Sequence, residues 1–252
     1  MAIVRVSIGS LASMGIINIR QKYKPTTLYM LQYSMEGCLA GCKYCFQNKS
    51  LNIDKKYLSR ITWYPIELGE IIDKIENSGF KRICIQSIIK KGFIQELIKI
   101  IQGIREHGVK TPISTSVNPV HRVYLEELKN LGVDYLGVGL DAATPELFTK
   151  YSKPYSWRAY MDFINTGVEV FGWRKVYVHL ITGLGEDLTS IASLMSSIVE
   201  NGGDIALFPY VKEVKGVYTV NVDIYYYRLI QIIRYLLLQG YRLKEIMGSG
   251  LN

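Results

Sequence analysis

Long hydrophobic runs, histidine and cysteine are all scarce in this sequence of 252 residues, which has three histidines and four cysteines. A helix that crosses a bilayer needs about 20 consecutive apolar residues, and the longest candidate, 229–238, contains Arg234. We therefore predict no membrane span. The first 17 residues have one early arginine and no convincing signal-peptide cleavage site, which favours a cytoplasmic protein. A chain of this length can bury a large core and does not need disulfides for stability.

The net charge is +8, which allows an acidic partner such as an anionic cofactor, an acidic protein or a nucleic acid. The lysines and arginines are scattered, with small clusters such as Lys90–Lys91. No basic block alternates with aromatic residues in the way expected of a nucleic-acid-binding surface. The charge therefore indicates a generally basic surface, and binding of nucleic acid is not predicted.

Six short runs rich in strand-forming residues are each followed by a helical pattern of apolar residues. The runs are 27–33, 82–88, 112–117, 134–140, 175–181 and 204–210. The helical patterns all end at a glycine, which readily adopts the left-handed conformation common after a helix: Gly79, Gly108, Gly132, Gly172, Gly202 and Gly240. One helix is predicted to begin at Asn118–Pro119, a capping residue followed by a first-turn proline.

The six predicted strands are apolar on both faces, as parallel strands covered by helices are. Strand and helix alternating six times predict an α/β sheet or barrel with right-handed crossovers. Residues 1–25 are interpreted as a lead-in segment with one short helix, and residues 26–252 as a single core domain without a linker. In such folds the chemistry gathers at the carboxyl ends of the strands.

Three of the four cysteines lie within eight residues, in the loop after the first predicted strand, with the spacing Cys38-x3-Cys42-x2-Cys45. Structural zinc usually has four ligands, so a zinc site would require the fourth cysteine, Cys84, to turn toward the loop. A cubane [4Fe–4S] cluster has four irons. Three thiolates from one loop would hold three irons and leave the fourth open to a non-protein ligand. The trio favours a cluster, and zinc stays the alternative.

The cysteine loop, with Tyr44 before the last cysteine, resembles the cluster loop of the radical S-adenosylmethionine (SAM) enzymes. The longer string CLAGCKYCFQN is similar in style to that of biotin synthase and its relatives. Residues 179–186, HLITGLGE, resemble the fifth-strand motif of this family through Ile181, Gly183 and Glu186.

A second strand carries the same resemblance. Residues 130–141, NLGVDYLGVGLD, are similar to the fourth strand of biotin synthase-like proteins, whose closing aspartate, here Asp141, meets the SAM ribose. The similarity covers about residues 26–210 and implies a radical SAM core, a partial TIM barrel of (βα)6 type. It also implies reductive cleavage of SAM by a [4Fe–4S] cluster and abstraction of hydrogen from an unactivated carbon. The implied cluster ligands are Cys38, Cys42 and Cys45.

The resemblance implies further positions that bind SAM: Tyr44, Gln86, Ser87, Ser114, Asp141, Ile181, Gly183 and Gly185. Several have simpler explanations. Tyr44 is expected over the adenine of SAM, and the alternative is a ring that only shields the cluster. The Ser114 hydroxyl would equally bond to a strand edge. Other members have a Gly-Gly-Glu string where this sequence has Gln86–Ser87. A glycine-rich turn like that around Gly183 occurs in many folds.

Two residues have a possible role beside the cofactors. His179 replaces a glycine of the fifth-strand motif, which places it near SAM or the substrate, although a lone strand histidine is usually structural. Cys84 lies in a run similar to the second strand of biotin synthase, where a cysteine binds an auxiliary cluster. The partners that such a cluster would need in the third and fifth strands are absent, so we predict one cluster per chain.

The phrases LGVGLDAATPELF and HLITGLGE are also similar to archaeal biotin synthase-related proteins, some of which are paired subunits of a lipoyl synthase. This resemblance implies sulfur insertion into an acyl chain, with a ferredoxin-like or flavodoxin-like electron donor, a second radical SAM subunit and an acidic acyl-carrier or lipoyl domain as partners. Two alternatives stay open: a radical SAM enzyme that modifies RNA or another small molecule, and a non-catalytic iron–sulfur or zinc-binding partner subunit.

Overall fold

The structure is a computed structural model that describes residues 2–214 and 216–248. The chain divides into two compact units, Met1–Leu136 and Gly137–Asn252.

Nine strands of the described residues form one sheet in the order β3-β4-β1-β2-β5-β6-β7-β8-β9. The six predicted strands are confirmed as β2 and β5 to β9. The bounds are β1 Ile3–Ser7, β2 Thr27–Gln32, β3 Tyr57–Leu58, β4 Ile61–Glu67, β5 Arg82–Gln86, β6 Ile113–Ser116, β7 Val133–Asp141, β8 Val176–Thr182 and β9 Asp204–Pro209. A separate antiparallel pair consists of β10 Val211–Val214 and β11 Val217–Val220.

The first unit contains three neighbouring parallel strands, in which β5 pairs with β2 on one side and with β6 on the other. Side chains alternate between the two faces of each strand. In β5, Ile83 and Ile85 are fully buried, whereas Cys84 and Gln86 lie on the opposite, less buried face. The helices of this unit are α1 Ile8–Ser13, α2 Leu68–Ile72, α3 Phe93–Glu106 and α4 Arg122–Asn130.

The segment interpreted as a lead-in contributes a strand to the sheet. β1 lies between β2 and β4 and is antiparallel to both. Four of its five residues are buried, because a central strand is covered on both faces. The predicted short helix is α1, and the Ser7 hydroxyl caps it by accepting a hydrogen bond from the Ser10 N–H at 3.3 Å.

Two helices of the first unit differ from their prediction. The helical pattern that ends at Gly79 is interrupted, because α2 stops at Ile72 and a 3₁₀ turn follows at Glu76–Ser78. The helix expected to begin at Asn118–Pro119 begins at Arg122 instead, so that cap prediction is wrong. His121 is the capping residue, since its ring Nδ1 accepts a hydrogen bond from the Val123 N–H at 3.4 Å.

The second unit contains the parallel pair β8 and β9, the end of β7, and five helices within its described residues. The helices are α5 Pro145–Lys150, α6 Trp157–Phe171, α7 Leu188–Glu200, α8 Ile224–Leu238 and α9 Leu243–Gly248. Four of them begin at a residue whose side chain accepts a hydrogen bond from the first turn, namely Thr144, Ser156, Asp187 and Asp223. Within the described part of the chain, no helix has both the length and the apolar character that crossing a membrane requires.

One arginine joins the ends of α3 and α4. The Arg105 guanidinium donates hydrogen bonds to the carbonyls of Val109 and Thr111, both at 2.9 Å, which lie in the loop after α3. It also donates to the carbonyls of Leu131 at 3.3 Å and Gly132 at 2.8 Å, just after α4. Carbonyls in loops and at helix ends have no partner in regular secondary structure, and this side chain supplies their donors.

Replacement of this side chain tests its contribution. We expect Arg105→Met to lower the free energy of unfolding by about 2 kcal/mol, because four carbonyls lose a charged donor. The control is Arg158→Met, since Arg158 is 91% exposed and its ion pair with Asp162 is long, at 3.7 Å. Urea unfolding of both variants measures the difference. Equal stability of the two variants would contradict the assigned role.

Candidate active site

The cysteine trio lies in the first unit, in the loop that follows β2. Cys38 and Cys42 are buried and Cys45 is half-buried. The loop begins at a backbone bridge between Cys38 and Asn48, and the Cys45 N–H donates to the Cys42 carbonyl at 3.1 Å. These turns bring the three cysteines into one short, folded segment at the carboxyl end of a strand.

The Cys38 sulfur accepts two backbone hydrogen bonds. The Ala40 N–H donates to it at 3.4 Å and the Ile89 N–H, from the loop after β5, donates at 3.2 Å. The Leu39 N–H in turn donates to the Ile89 carbonyl at 2.8 Å. Such N–H···S bonds stabilise negative charge on sulfur and are among the factors that tune iron–sulfur clusters. The Cys38 sulfur therefore has the backbone donors that a cluster ligand can use.

Two buried side-chain amides directly after the trio hydrogen-bond to the backbone of the loop. Gln47 and Asn48 are 2% and 4% exposed. The Gln47 amide donates to the carbonyls of Lys55 at 2.9 Å and Tyr57 at 2.6 Å, and the Asn48 amide donates to the Cys42 carbonyl at 3.3 Å. Buried polar groups are costly unless they are paired, so both amides serve to fix the backbone that carries the cysteines.

Lys55 gathers the backbone that follows the trio. Its ammonium donates to the carbonyls of Phe46 at 3.3 Å, Asn48 at 2.6 Å and Leu51 at 2.8 Å. Burial lowers the pKa of Lys55, and the charge of Cys45 opposes that shift. The ammonium is thus both a backbone clamp and a positive charge beside a predicted cluster ligand.

Two glycines in this loop have left-handed backbone angles that other residues rarely adopt. Gly37 has φ +94° and Gly41 has φ +78°. A Cβ atom at Gly37 would also overlap the Gln47 carbonyl oxygen. Glycine is therefore required immediately before Cys38, where the backbone passes close to the backbone of Gln47.

The donor set fits an iron–sulfur cluster. Each thiolate of a cubane cluster binds a different iron, so the three sulfurs need not converge on a single point. Among residues 2–214 and 216–248, no group of three or more His, Cys, Asp or Glu side chains is arranged to hold a single metal ion. Cys84 is a poor fourth ligand, because burial raises the pKa of its thiol and its side chain is hydrogen-bonded with Ser114.

The polar residues predicted at the ends of β5 and β6 lie together within the first unit. Gln86 and Ser116 are register partners, and the Ser87 N–H donates to the Ser116 carbonyl at 2.9 Å. The Ser87 hydroxyl is buried and has no hydrogen-bond partner among the described residues, so it could receive one from a ligand. The Ser114 hydroxyl instead donates to the Ile83 carbonyl at 3.3 Å, as a strand hydroxyl does. Tyr44 is half-buried in the cysteine loop.

Asp141, at the end of β7 in the second unit, forms an ion pair that the sequence analysis did not predict. Its Oδ2 lies 2.6 Å from the Lys153 Nζ, and the side chains are 15% and 4% exposed, respectively. Lys153 also donates to the Gly139 carbonyl at 2.6 Å and lies 5.0 Å from the centre of the Tyr160 ring. The carboxylate is therefore fixed by a buried cation that follows it by 12 residues.

The turn after β8 is organised by Glu186. Its carboxylate accepts hydrogen bonds from three successive backbone N–H groups, those of Gly183 at 2.7 Å, Leu184 at 2.9 Å and Gly185 at 3.1 Å. Both glycines have left-handed φ angles, and a Cβ at Gly183 would lie 2.8 Å from the Asn221 carbonyl oxygen. The N–H groups of the two predicted SAM-binding glycines thus point at this carboxylate, and the proposed role of the glycines in cofactor binding stays a prediction.

His179 and Ile181 share one face of β8, opposite the buried face of that strand. The His179 ring packs edge-on against Phe208 of β9, with ring centres 5.2 Å apart. Burial lowers the pKa of His179, while the Asp141 carboxylate raises it and the Lys153 ammonium lowers it. The lowered pKa favours the neutral imidazole, which suits its packing against Phe208.

A model of the radical SAM superfamily matches residues 33–198, which is more than half of the chain. The chain belongs to the radical SAM superfamily, whose members normally use a [4Fe–4S] cluster and SAM. Among curated proteins it is similar to biotin synthases and to probable GTP 3′,8-cyclases.

Two of these relatives are a biotin synthase from Vesicomyosocius okutanii subsp. Calyptogena okutanii and a probable GTP 3′,8-cyclase from Methanococcus aeolicus. The first is 25% identical over 174 residues, which cover 67% of this chain and 51% of the relative. The second is 28% identical over 115 residues, which cover 45% of this chain and 37% of the relative. The chain thus spans about half or less of the length of these relatives.

Several solved structures share the fold. A methylornithine synthase (PylB) superposes with a TM-score of 0.64 at 16% identity, over 93% of this chain and 68% of that one. The FeFe-hydrogenase maturase HydG from Carboxydothermus hydrogenoformans gives 0.60 at 15% identity, over 86% and 52%. A radical SAM methyltransferase from Sphaerobacter thermophilus gives 0.55 at 15% identity, over 86% and 65%. The predicted α/β fold of partial-barrel type is confirmed.

Two neighbouring lysines test how the cysteine loop is held. We expect Lys55→Met to reduce the iron that reconstituted protein retains to less than about half, since three carbonyls lose their donor and roughly 2 kcal/mol of loop stability with it. Lys56→Met is the matched control, because the Lys56 side chain is 42% exposed and its ammonium forms a surface ion pair with Asp54 at 2.9 Å. Iron and sulfide analysis after anaerobic reconstitution measures both variants. Full iron content in Lys55→Met would refute the clamp.

Proposed function

We propose that this chain binds a [4Fe–4S] cluster through Cys38, Cys42 and Cys45 and uses it to cleave SAM reductively. When bound, the cluster supplies the electron that breaks a carbon–sulfur bond of SAM and so generates a radical able to take hydrogen from an unactivated carbon. The chain's own residues hold the loop, exclude water from it and orient SAM.

The observation that carries this proposal is the environment of the Cys38 sulfur. Two backbone N–H groups from different loops donate to it, and the loop around it is fixed by buried amides rather than by packing alone. A cysteine that served only as a small core residue would not need these donors. Because the chain belongs to the radical SAM superfamily, a [4Fe–4S] cluster is the group that we expect these cysteines to bind.

The proposed SAM-binding residues fall into two groups. Ser87, with its buried and unpartnered hydroxyl, and Gln86 beside it would bind the amino end of SAM. Asp141 would accept hydrogen bonds from the ribose hydroxyls, which a carboxylate at the end of a strand does well. Support for Asp141 comes from its place in the strand motif and from its left-handed φ angle of +68°.

Replacement of each cluster ligand tests the proposal directly. We expect Cys38→Ala, Cys42→Ala and Cys45→Ala each to abolish release of 5′-deoxyadenosine from SAM under anaerobic reducing conditions, because a cluster missing one thiolate is poorly held. The control is Cys84→Ala, which should retain both the cluster and SAM cleavage. Liquid chromatography of the products measures 5′-deoxyadenosine. Cleavage at the wild-type rate by any variant of the trio would contradict the proposal.

The substrate that we propose is an acyl chain on a carrier, modified together with partner proteins. The resemblance to lipoyl synthase subunits supports this choice, and the charge of +8 suits an acidic acyl-carrier or lipoyl domain. The proposed partners are that domain, a second radical SAM subunit, and a ferredoxin-like or flavodoxin-like electron donor. RNA as a substrate has no comparable support, because the basic residues are scattered.

Iron content and product analysis test the limits of the isolated chain. Only Cys84 remains once the trio is assigned, so we expect about four irons per chain and no sulfur insertion into an octanoylated carrier by this chain alone. Addition of a partner subunit that supplies sulfur should give thiolated product. Mass spectrometry of the carrier and iron analysis decide the question. About eight irons per chain, or sulfur insertion without a partner, would overturn this part of the proposal.

A further inference from the structure

Asp141 has an unusual backbone conformation for its position. Its φ angle is +68°, a left-handed value that residues with a side chain adopt at some cost, although aspartate tolerates it better than most. The turn is tight, since the Ala142 N–H donates to the Leu140 carbonyl at 2.9 Å. Strained backbone of this kind persists where surrounding contacts enforce it and concentrates at functional sites.

The carboxylate of Asp141 folds back over the strand toward Gly139. A Cβ atom at Gly139 would lie 3.4 Å from Oδ2 and 3.5 Å from Oδ1 of Asp141, so the carboxylate lies directly beside the backbone of Gly139. The Gly139 carbonyl and the Asp141 Oδ2 together accept the Lys153 ammonium, each at 2.6 Å. One cation thus ties the side chain of Asp141 to the backbone of its own strand.

Lys153 is more deeply buried than the carboxylate it binds. The Lys153 side chain is 4% exposed and the Asp141 side chain 15%, and the fully buried Tyr160 ring lies against the ammonium. A buried ammonium is costly unless it is paired and hydrogen-bonded. The Asp141 carboxylate is therefore the more accessible member of the pair, and Lys153 is the more deeply buried one.

We infer that Lys153 is a positioning residue for SAM, which holds the Asp141 carboxylate in the orientation that binds the ribose hydroxyls. This inference rests on the proposed function, since it assumes that the ribose lies at Asp141. Lys153 does not touch SAM in this scheme, and its whole effect on SAM passes through Asp141.

A double-mutant cycle measures that dependence. The variants are Asp141→Asn, Lys153→Met and the double variant, with Lys150→Met as the control because Lys150 is an exposed lysine at the end of the preceding helix. The SAM dissociation constant is measured by calorimetry on reconstituted protein without reductant, so that no SAM is consumed. Competition by adenosine and by 2′,3′-dideoxyadenosine then reports recognition of the ribose hydroxyls alone.

We expect each single variant to weaken SAM binding by about 10-fold or more and to lose the preference for adenosine over the dideoxy compound. In the Asp141→Asn background, Lys153→Met should weaken SAM binding by less than about 2-fold more, as coupled residues do. Lys150→Met should bind like the wild type. If Lys153→Met does not fold, Lys153→Gln, which keeps a donor but no charge, enters the same cycle.

Other outcomes separate the inference from the proposal beneath it. Independent, multiplicative effects of the two substitutions on SAM affinity would overturn the inference, as would an intact adenosine preference in Lys153→Met. Each of these results would leave SAM binding by the wild type, and hence the proposed function, in place. A reconstituted wild-type protein that does not bind SAM would overturn both.

Discussion

The cysteine loop depends on one constraint, which is that backbone polar groups beside buried thiols must find partners without the help of regular secondary structure. Gln47, Asn48 and Lys55 provide those partners. Because the Lys55 ammonium accepts nothing and donates to three carbonyls, it fixes the return path of the chain after Cys45. This path of the chain also fixes the position of the Cys38 sulfur, which accepts hydrogen bonds from two backbone N–H groups. The candidate cluster site is thus built by groups that would not themselves bind the cluster.

The same logic operates in the second unit with different groups. There the carboxylate of Glu186 gathers three backbone N–H groups, and the ammonium of Lys153 holds the carboxylate of Asp141. In both cases a charged side chain stabilises a loop or strand end whose conformation is otherwise unfavourable. Such interactions act over short distances in a low-dielectric setting, where charge-assisted hydrogen bonds are stronger than neutral ones. The rigid elements of the fold then present these preorganised loops at the carboxyl ends of β7 and β8.

The sequence was sufficient for the six strands and the α/β class, because short apolar runs and the glycines that end helices are local signals. It was not sufficient for β1, whose short apolar run gains its meaning only from pairing with β2 and β4. Spacing also identified the cysteine trio. The Lys55–Lys56 pair was interpreted as basic surface, and Lys153 was not singled out. Only the folded chain reveals which ammonium donates to backbone carbonyls or to a carboxylate.

Whether a cysteine in this protein can serve as a cluster ligand depends on the hydrogen-bond donors around its sulfur. Cys84 lies in the middle of β5, where burial raises the pKa of its thiol and Ser114 is its side-chain partner. Cys38 is also buried, yet it sits where two strands have ended and backbone N–H groups are available to its sulfur. A strand interior commits its N–H groups to the ladder and leaves none for a thiolate. Loops at strand ends are therefore the places where this fold can support anionic sulfur.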